Sequence, residues 1–460
     1  MRAGATSPRP IATSALDRLY QIDTPEALQE CLNGFILAVK GSFTLAKTKE
    51  EELLDRILAD DSPVPAELLQ RYAENLIKAV RAVPMHGEEA ERLAEKWQAN
   101  VTRFAAYKTY CAAQDIRGIA EEEGGDMDYI KAMFHAYNRY QAAEYNTAVA
   151  RARTGKQWQQ FSEDDNVRLF PNIKWLPSLS ATPREEHMPF YNRIWPKDDP
   201  FWAYNQPGTL WNCKCDWEQT DEDPTDGNPD RRIVKPGLDQ NPATSGQIFT
   251  DTASYVRRSG REGRAIVESF SPVWEHINDY LRCRDNDDYA DVAFRWDNGG
   301  LKATHKGHIS HDNPNEERFF PEKLSATQLE NECQNILFKS GHSAILLNEI
   351  TLAANGDILP ALDLQMDGRL MDIRSITKNN AHTIRNVLST KNNQIKRFVS
   401  KTGMDADTVC LYFHDSTLYS KTLITAGIEE YVDLVKTKNK IQHVICVVAG
   451  NTNVIEFNVK

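Results

Sequence analysis

Two dense apolar runs near the end of the chain, "DTVCLYFHD" and "QHVICVVAG", place the strongest limit on its fold. Runs of this kind, rich in β-branched residues, are typical of strands that are buried on both faces of a sheet. The segment between them, "GIEEYVDLVKT", has the apolar spacing of a short amphipathic helix, and the closing "NVIEFNV" alternates as a strand does. The last part of the chain is therefore predicted to be mixed α and β.

A β-hairpin is predicted within "LDLQMDGRLMDIRSITKNN", where Asp367 and Gly368 separate two short runs. Asp363 ends the first arm, and Asp372 and Arg374 share a face of the second because they are two residues apart. An Asp–Arg pair that faces inward can position a phosphate or hold a metal. The alternative is a weak ion pair in solvent.

A helix with many basic residues is predicted directly after the hairpin, in "HTIRNVLSTKNNQIKRFVSK". From Lys378 to Lys401 the chain has six basic residues and no acidic one, with several Asn and Gln between them. Such a helix face suits contact with a phosphate backbone, although a charged run is often only a solvated surface. The predicted nucleic-acid-binding residues are Lys378, Arg385, Lys396, Arg397 and Lys401.

The charge of the chain is unevenly distributed. The formal net charge is −12, which argues against a general nucleic-acid coat protein. The last 120 residues, however, carry 13 basic and 12 acidic side chains. We therefore expect the C-terminal part to differ electrostatically from the rest.

The N-terminal part is predicted to be helical, as a bundle or stalk over residues 10–125. A further helix, "MDYIKAMFHAYNRYQAAEYNTAVARARTG", is expected to end at Gly155. The apolar runs are too short to span a bilayer, and "MRAGATSPRP" lacks the hydrophobic core of a secretory signal. These features predict a soluble protein that is used in a cytoplasm or in a particle assembled there.

A compact, loop-rich module with an aromatic core is predicted from Lys156 to about Gln219, where six of the nine tryptophans lie. It contains Cys213 and Cys215, whose spacing disfavours a disulfide. Two thiolates at this spacing could share a zinc ion with His187, although a structural zinc ion usually has four ligands. The alternative is two packed, reduced cysteines.

Two polar stretches are predicted to separate the modules. Residues 220–246, rich in Pro, Gly, Asp and Asn, have the composition of a linker. The second stretch contains His305, His308 and His311, which are three residues apart and could serve as ligands or as acid–base groups. Gly307 argues against a helix there, so a solvated polar segment is the alternative.

The segment "ATPREEHMPFYNRIWPKDDPFWAYNQPGTLWNCKC" resembles the signature region of the phage Mu F-type minor head (head morphogenesis) proteins. The resemblance covers roughly residues 100–220. Where the family has "HPxCRC", this chain has "LWNCKC". The resemblance implies a minor protein of the phage head, with portal and capsid proteins as partners and the virion and host cytoplasm as its locations. The matching positions are Arg184, His187, Pro207, Cys213 and Cys215.

Residues 330–460 resemble, more loosely, the C-terminal toxin ribonuclease domains of the barnase, EndoU, colicin and RelE-like group. Their acidic-x-Lys motif corresponds to Asp372-Ile373-Arg374, and their downstream Gln to Gln394. Arginine does not donate protons, so Arg374 could only bind phosphate or stabilise charge. The resemblance implies an RNA substrate, with transfer RNA as a candidate, and needs no cofactor. The predicted catalytic residues are Asp363, Asp372, Arg374, His382, Lys391, Gln394 and His414.

The sequence thus predicts a multidomain α+β protein with a helical region (10–125), a Mu F-type module (126–219), a linker and accessory segment (220–330) and a ribonuclease-like mixed α/β domain (331–460). Metal-independent RNA cleavage needs a base, an acid and a cation, and these residue types are present. Two alternatives stay open. The C-terminal domain could only bind nucleic acid or capsid proteins. It could instead be a metal-dependent DNA nuclease of the PD-(D/E)xK type, with Asp363 and Asp372 as ligands and Arg374 in place of the Lys.

Overall fold

The structure is a computed structural model that describes residues 48–122, 126–309, 324–349, 359–378, 380–436 and 439–459. The chain forms two compact units, Met1–Trp274 and Glu275–Lys460. Across the described ranges, no helix combines the length and the apolar character that crossing a membrane requires. The predicted multidomain α+β organisation is confirmed, because a helical region, a small aromatic and Cys-containing module and a sheet-containing region follow one another.

The first unit is mainly helical, and its elements follow the apolar periodicity of the sequence. Helices α2, α3 and α4 pack on one another around buried stripes. The helices are α1 (Lys49–Ala59), α2 (Ala66–Arg81), α3 (Glu88–Glu122), α4 (Met127–Phe161), α5 (Asp164–Leu169), α6 (Pro242–Ser245), α7 (Ser254–Arg258), α8 (Gly260–Glu268) and α9 (Ser271–Glu275). The 3₁₀ helices are Glu185–Phe190 and Pro200–Ala203, and the strands are β1 (Asn172–Leu176), β2 (Ile194–Pro196) and β3 (Asp216–Thr220).

The aromatic module is built around a three-stranded antiparallel sheet in the order β2-β1-β3. Its core is a cluster of stacked and edge-on rings, including Trp175, Trp202 and Trp217, all of them buried. The predicted aromatic core of this segment is confirmed.

Helix α4 does not end at Gly155, and that prediction is wrong. The helix continues to Phe161, with Gly155 inside it. A Cβ atom at Gly155 would lie 2.5 Å from Cζ2 of the buried Trp97. The glycine thus allows close packing against α3, rather than a left-handed helix end.

We expect Gly155→Ala to lower the free energy of unfolding by about 1–3 kcal/mol, because the added methyl group forces Trp97 or the helix to move. Gly118→Ala in α3 is a matched control, since a Cβ at Gly118 meets nothing within 4 Å. That change is expected to stabilise by about 0.5–1 kcal/mol, through helix propensity alone. Urea unfolding measures both, and equal effects of the two substitutions would contradict the packing argument.

The stretch predicted as a linker is in part firmly bound to the first unit. Arg151 of α4 is fully buried and donates hydrogen bonds to the carbonyl oxygens of Ile248 (2.6 Å), Leu238 (3.0 Å) and Gln240 (2.6 Å). The prediction of a free linker is therefore wrong for this part of the stretch. Composition does not show that the carbonyl groups of Leu238 and Gln240 accept hydrogen bonds from one buried guanidinium group.

Among its described residues, the second unit contains an eight-stranded mixed sheet with the order β11-β10-β9-β8-β7-β6-β5-β4. Strands β8, β9 and β10 are parallel, as are β5 and β6, and the other neighbours are antiparallel. The strands are β4 (Tyr289–Phe294), β5 (Leu301–His305), β6 (Ser343–Leu346), β7 (Leu364–Met366), β8 (Arg369–Ser375), β9 (Thr408–Phe413), β10 (His443–Val448) and β11 (Ile455–Asn458). The helices are α10 (Ile277–Arg284), α11 (Lys306–Ile309), α12 (Ala326–Lys339), α13 (Ala381–Thr402) and α14 (Lys421–Val435), with a 3₁₀ turn at Ser416–Leu418.

Helices cover both faces of this sheet. Helix α12 packs on one face through Leu329, Cys333 and Leu337. Helices α13 and α14 pack on the other, which accounts for the continuous apolar character of β9 and β10. Strands β4 and β5 belong to the same sheet, so this unit begins well before residue 331.

The predicted hairpin is confirmed. Strands β7 and β8 pair antiparallel, and Met366 lies opposite Arg369. Asp367 and Gly368 form the turn, with φ values of 48° and 81°. Two consecutive positive φ values match the twist of the flanking strands and explain the Asp-Gly pair.

Candidate active site

The register of the sheet places the two hairpin carboxylates opposite one another. Leu364 pairs with Met371, so the preceding Asp363 lies across from Asp372. Oδ2 of Asp363 accepts a hydrogen bond from the backbone N–H of Ile373 at 2.7 Å, which fixes the Asp363 side chain against β8. Two carboxyl groups are thereby held on adjacent strands.

Asp372 is completely buried in the middle of β8. Its Oδ1 accepts a hydrogen bond from Nζ of Lys391, which reaches in from α13 with a side chain only 13% exposed. Lys391 also donates to Oε1 of Gln394 at 3.3 Å. Within the part of the chain that is described, Oδ2 of Asp372 accepts no hydrogen bond. Burial raises the pKa of Asp372, and the neighbouring carboxyl group of Asp363, which can share a proton with Asp372, raises it further.

Glu330 adds a third carboxyl group from α12. Ser325 and Gln328 cap this helix reciprocally, which fixes its first turns over the sheet. Burial, followed by the nearby charges of Asp363, Glu349 and Asp372, raises the pKa of Glu330. Burial, followed by the charge of Asp363, also raises the pKa of Asp372 well above its ordinary value.

The pocket thus contains more negative groups than Lys391 can balance. Buried carboxylates that repel one another bind protons, or a cation of higher charge. Asp363, Asp372 and Glu330 present oxygen ligands of the kind that Mg²⁺ and Mn²⁺ prefer. Asp363 and Asp372, held on adjacent strands, can supply two such ligands beside the ammonium group of Lys391.

The structure does not bring the other predicted catalytic residues into this pocket. Arg374 is exposed at the end of β8. The exposed His382 lies at the start of α13, where its Nε2 is 3.1 Å from a guanidinium nitrogen of Arg385. His414 follows β9, and its Nδ1 lies 2.7 Å from Oε2 of Glu332. Asp363, Asp372, Lys391 and Gln394 are the predicted residues that come together.

The basic side chains of α13 do not form a single face. Arg385 and Lys396 are eleven residues apart, about three helical turns, and lie on one flank. Arg397 and Lys401 are four residues apart and lie on the other. Lys378 precedes the helix and is exposed. The basic residues therefore border the helix on both sides of its buried stripe.

The first unit contains a separate group of possible metal ligands, as predicted. Nδ1 of the fully buried His187 lies 3.5 Å from Sγ of Cys213 and 3.6 Å from Sγ of Cys215. These three residues form a group whose ligand atoms could hold one metal ion. The contact with Cys215, followed by that with His187, holds the pKa of Cys213 well below its ordinary value.

Comparison of the chain with protein-family models, with curated proteins and with solved structures gives no match.

Glu330 and Glu349 were not predicted from the sequence. His308 was predicted to lie in a solvated polar segment. His308 is in fact completely buried, on the short helix α11. His311 lies outside the described residues. A signal was available for Glu330, since a Glu beside the Leu329 stripe of α12 is an acid close to an apolar face. No local sequence signal pointed to Glu349, because only the pairing of distant strands brings it to the pocket.

Proposed function

We propose that the second unit is a metal-dependent nuclease of the PD-(D/E)xK type that hydrolyses phosphodiester bonds in DNA. The observation that carries the proposal is the fully buried Asp372, which lies opposite Asp363 and is bound by Lys391 through only one oxygen, with the carboxyl group of Glu330 near enough to be affected by its charge. A buried acidic cluster of this kind is costly to the fold, and a bound cation would compensate it.

In this proposal the residues have distinct roles. Asp363 and Asp372 would hold a divalent cation, which would supply Lewis-acid chemistry at the scissile phosphate and at a water molecule. Lys391 supplies the ammonium group that the motif usually carries two residues after its second acid, and it stabilises the developing charge. Arg374 and Lys378, exposed just beyond Asp372, contact the backbone phosphates of the substrate.

Metal-independent RNA cleavage is the competing function. It requires an acid and a base that reach the same phosphate. His382 and His414 contact Arg385 and Glu332, respectively, and neither is part of the carboxylate pocket. The grouping of three carboxylates with a lysine favours metal chemistry over the ribonuclease mechanism.

The purified full chain distinguishes these functions when it is incubated with plasmid DNA, total RNA or transfer RNA, in magnesium or in chelator. The proposal expects DNA cleavage that requires the metal. RNA cleavage in chelator would favour the ribonuclease. Absence of cleavage on every substrate in magnesium and in manganese would leave only nucleic-acid or capsid binding.

For the first unit, we propose that the chain acts as a minor head protein of a phage and that its aromatic module binds zinc. The resemblance of residues 100–220 and the grouping of His187, Cys213 and Cys215 support this role. Three protein ligands suit zinc when a fourth position is taken by water. The zinc ion would fasten the Cys213–Cys215 loop to the Glu185–Phe190 turn.

We expect about one zinc ion per chain by elemental analysis of the full-length protein. Cys213→Ser is expected to remove it, because a hydroxyl group is a poor zinc ligand. Cys283→Ser, at a buried cysteine of the second unit, is the control and should leave the zinc content unchanged. Purified wild-type protein without zinc, or a Cys213→Ser variant that retains it, would contradict this assignment.

A further inference from the structure

His308 and Glu349 come together because two parallel strands end at the same edge of the sheet. Strands β5 and β6 are in register from Leu301 opposite Ser343 to Thr304 opposite Leu346. Past the strand ends, β5 leads into the short helix α11, which carries His308, and β6 leads into the segment that contains Glu349. Both residues follow their strands by a few positions, so both lie at the carboxyl edge of this strand pair.

Gly307 allows α11 to approach this segment unusually closely. A Cβ atom at Gly307 would lie 2.0 Å from Oδ1 of Asn348, so no other residue fits without displacement. The backbone N–H of Gly307 donates to Nδ1 of His305 at 2.9 Å, which holds the turn into α11. The side chain of His308 is thereby directed into the pocket rather than to solvent.

His308 is a buried imidazole between two carboxylates. Its side chain is 0% exposed. Nδ1 lies 2.7 Å from Oε1 of Glu349, and Nε2 lies 3.4 Å from Oε2 of Glu330. Neither ring nitrogen makes a hydrogen bond of acceptable geometry within the described residues. One ligand atom from each of the three residues lies within 4.8 Å of the others, a spacing that a single ion can bridge.

We infer that His308, Glu330 and Glu349 form a second cation position, which takes a divalent first-row transition ion such as Mn²⁺ in preference to Mg²⁺. Imidazole is a good ligand for transition ions, whereas Mg²⁺ strongly prefers oxygen and keeps much of its water. The Asp363–Asp372 pair offers only carboxylate oxygens. The two positions therefore differ in ligand type, and Glu330 borders both.

This inference goes beyond the proposed hydrolysis, because it assigns a metal site with its own ligands and its own selectivity. The competing explanation is a purely structural network, in which His308 contacts the two glutamates and no ion takes part. That network would bind no ion. Metal binding measured in excess magnesium separates the two explanations without any need for cleavage.

The test is a Mn²⁺ titration of the zinc-loaded full chain, followed by the paramagnetic signal of free Mn²⁺, in a large excess of magnesium. Magnesium occupies the oxygen-only position, so Mn²⁺ that remains bound reports the histidine-containing one. We expect the wild type to retain about one Mn²⁺ per chain, and His308→Gln to weaken its affinity at least about tenfold. His443→Gln, at the start of β10 several strands away, is the matched control and should bind as the wild type does.

Two further variants keep the outcomes distinct. Glu349→Gln is expected to weaken Mn²⁺ binding as His308→Gln does, which guards against one variant being misfolded. Asp372→Asn should still retain Mn²⁺ in excess magnesium. A failure of the proposed DNA cleavage can therefore be distinguished from a failure of Mn²⁺ binding at His308. Wild-type protein that binds no Mn²⁺ under these conditions would overturn the inference, as would folded His308→Gln and Glu349→Gln variants that bind it normally.

Discussion

Asp372→Asn is expected to lower metal-dependent DNA cleavage by the full chain about 1,000-fold, which corresponds to about 4 kcal/mol of transition-state stabilisation. The substitution keeps the size of a fully buried side chain but removes the charge that, in the proposed function, would hold the cation. It also leaves Lys391 without its carboxylate partner. Both losses act on the step in which charge develops on the phosphate.

Asp405→Asn is the matched control, because Asp405 is an exposed aspartate of the same unit, outside the pocket. We expect it to cleave at the wild-type rate. Circular dichroism would show whether Asp372→Asn remains folded. A folded Asp372→Asn variant with cleavage within about threefold of the wild type would exclude Asp372 as a metal ligand.

The second large effect concerns stability, pH and metal together. Burial and neighbouring charges raise the pKa values of Glu330 and Asp372. A carboxyl group with a raised pKa in the folded state binds more protons when folded than when unfolded. The metal-free unit therefore loses stability as the pH rises above the unfolded pKa of about 4.

A bound divalent cation should reverse this trend. It needs ionised carboxylates, so it stabilises little near pH 5 and strongly near pH 8. With the metal at about 100 times its Kd, the free energy of unfolding rises by about 2.7 kcal/mol. This corresponds to a rise in Tm of about 5–10 °C for a unit of this size. Thermal unfolding in manganese and in chelator, at both pH values, measures the effect.

Glu330→Gln isolates the contribution of the pocket. Other groups also titrate in this range, including His276, whose pKa is raised by its contacts with Asp367 and the Gly299 carbonyl despite burial. Those groups are unchanged in Glu330→Gln. Any difference in the metal-induced rise in Tm between the variant and the wild type therefore comes from the carboxylate pocket. A metal-induced rise in Tm that is equal at both pH values, or unaffected by Glu330→Gln, would contradict the proposed coupling.

The local features of the second unit could be predicted from the sequence. Asp367-Gly368 specifies a turn with two positive φ values, and continuous apolar runs specify β9 and β10. Asp363 and Asp372 could be predicted to lie close together, because a short hairpin fixes which residues face one another.

The rest of the site depends on contacts between distant segments. Glu330, Glu349 and His308 reach the pocket through helix packing and the pairing of β5 with β6, which no local pattern encodes. Lys391 was among the predicted catalytic residues, but its contact with Asp372 depends on how α13 lies across β8. Arg374 follows the sequence motif but is exposed to solvent, so spacing alone gave it too large a role.

The proposed nuclease requires that Asp363 and Asp372 bind a divalent cation beside Lys391. The most direct measurement is a crystal structure of the full chain with manganese, in which anomalous scattering locates the metal. We expect an anomalous peak in contact with carboxylate oxygens of Asp363 and Asp372. A well-ordered pocket without such a peak, with Lys391 still paired to Asp372, would contradict it.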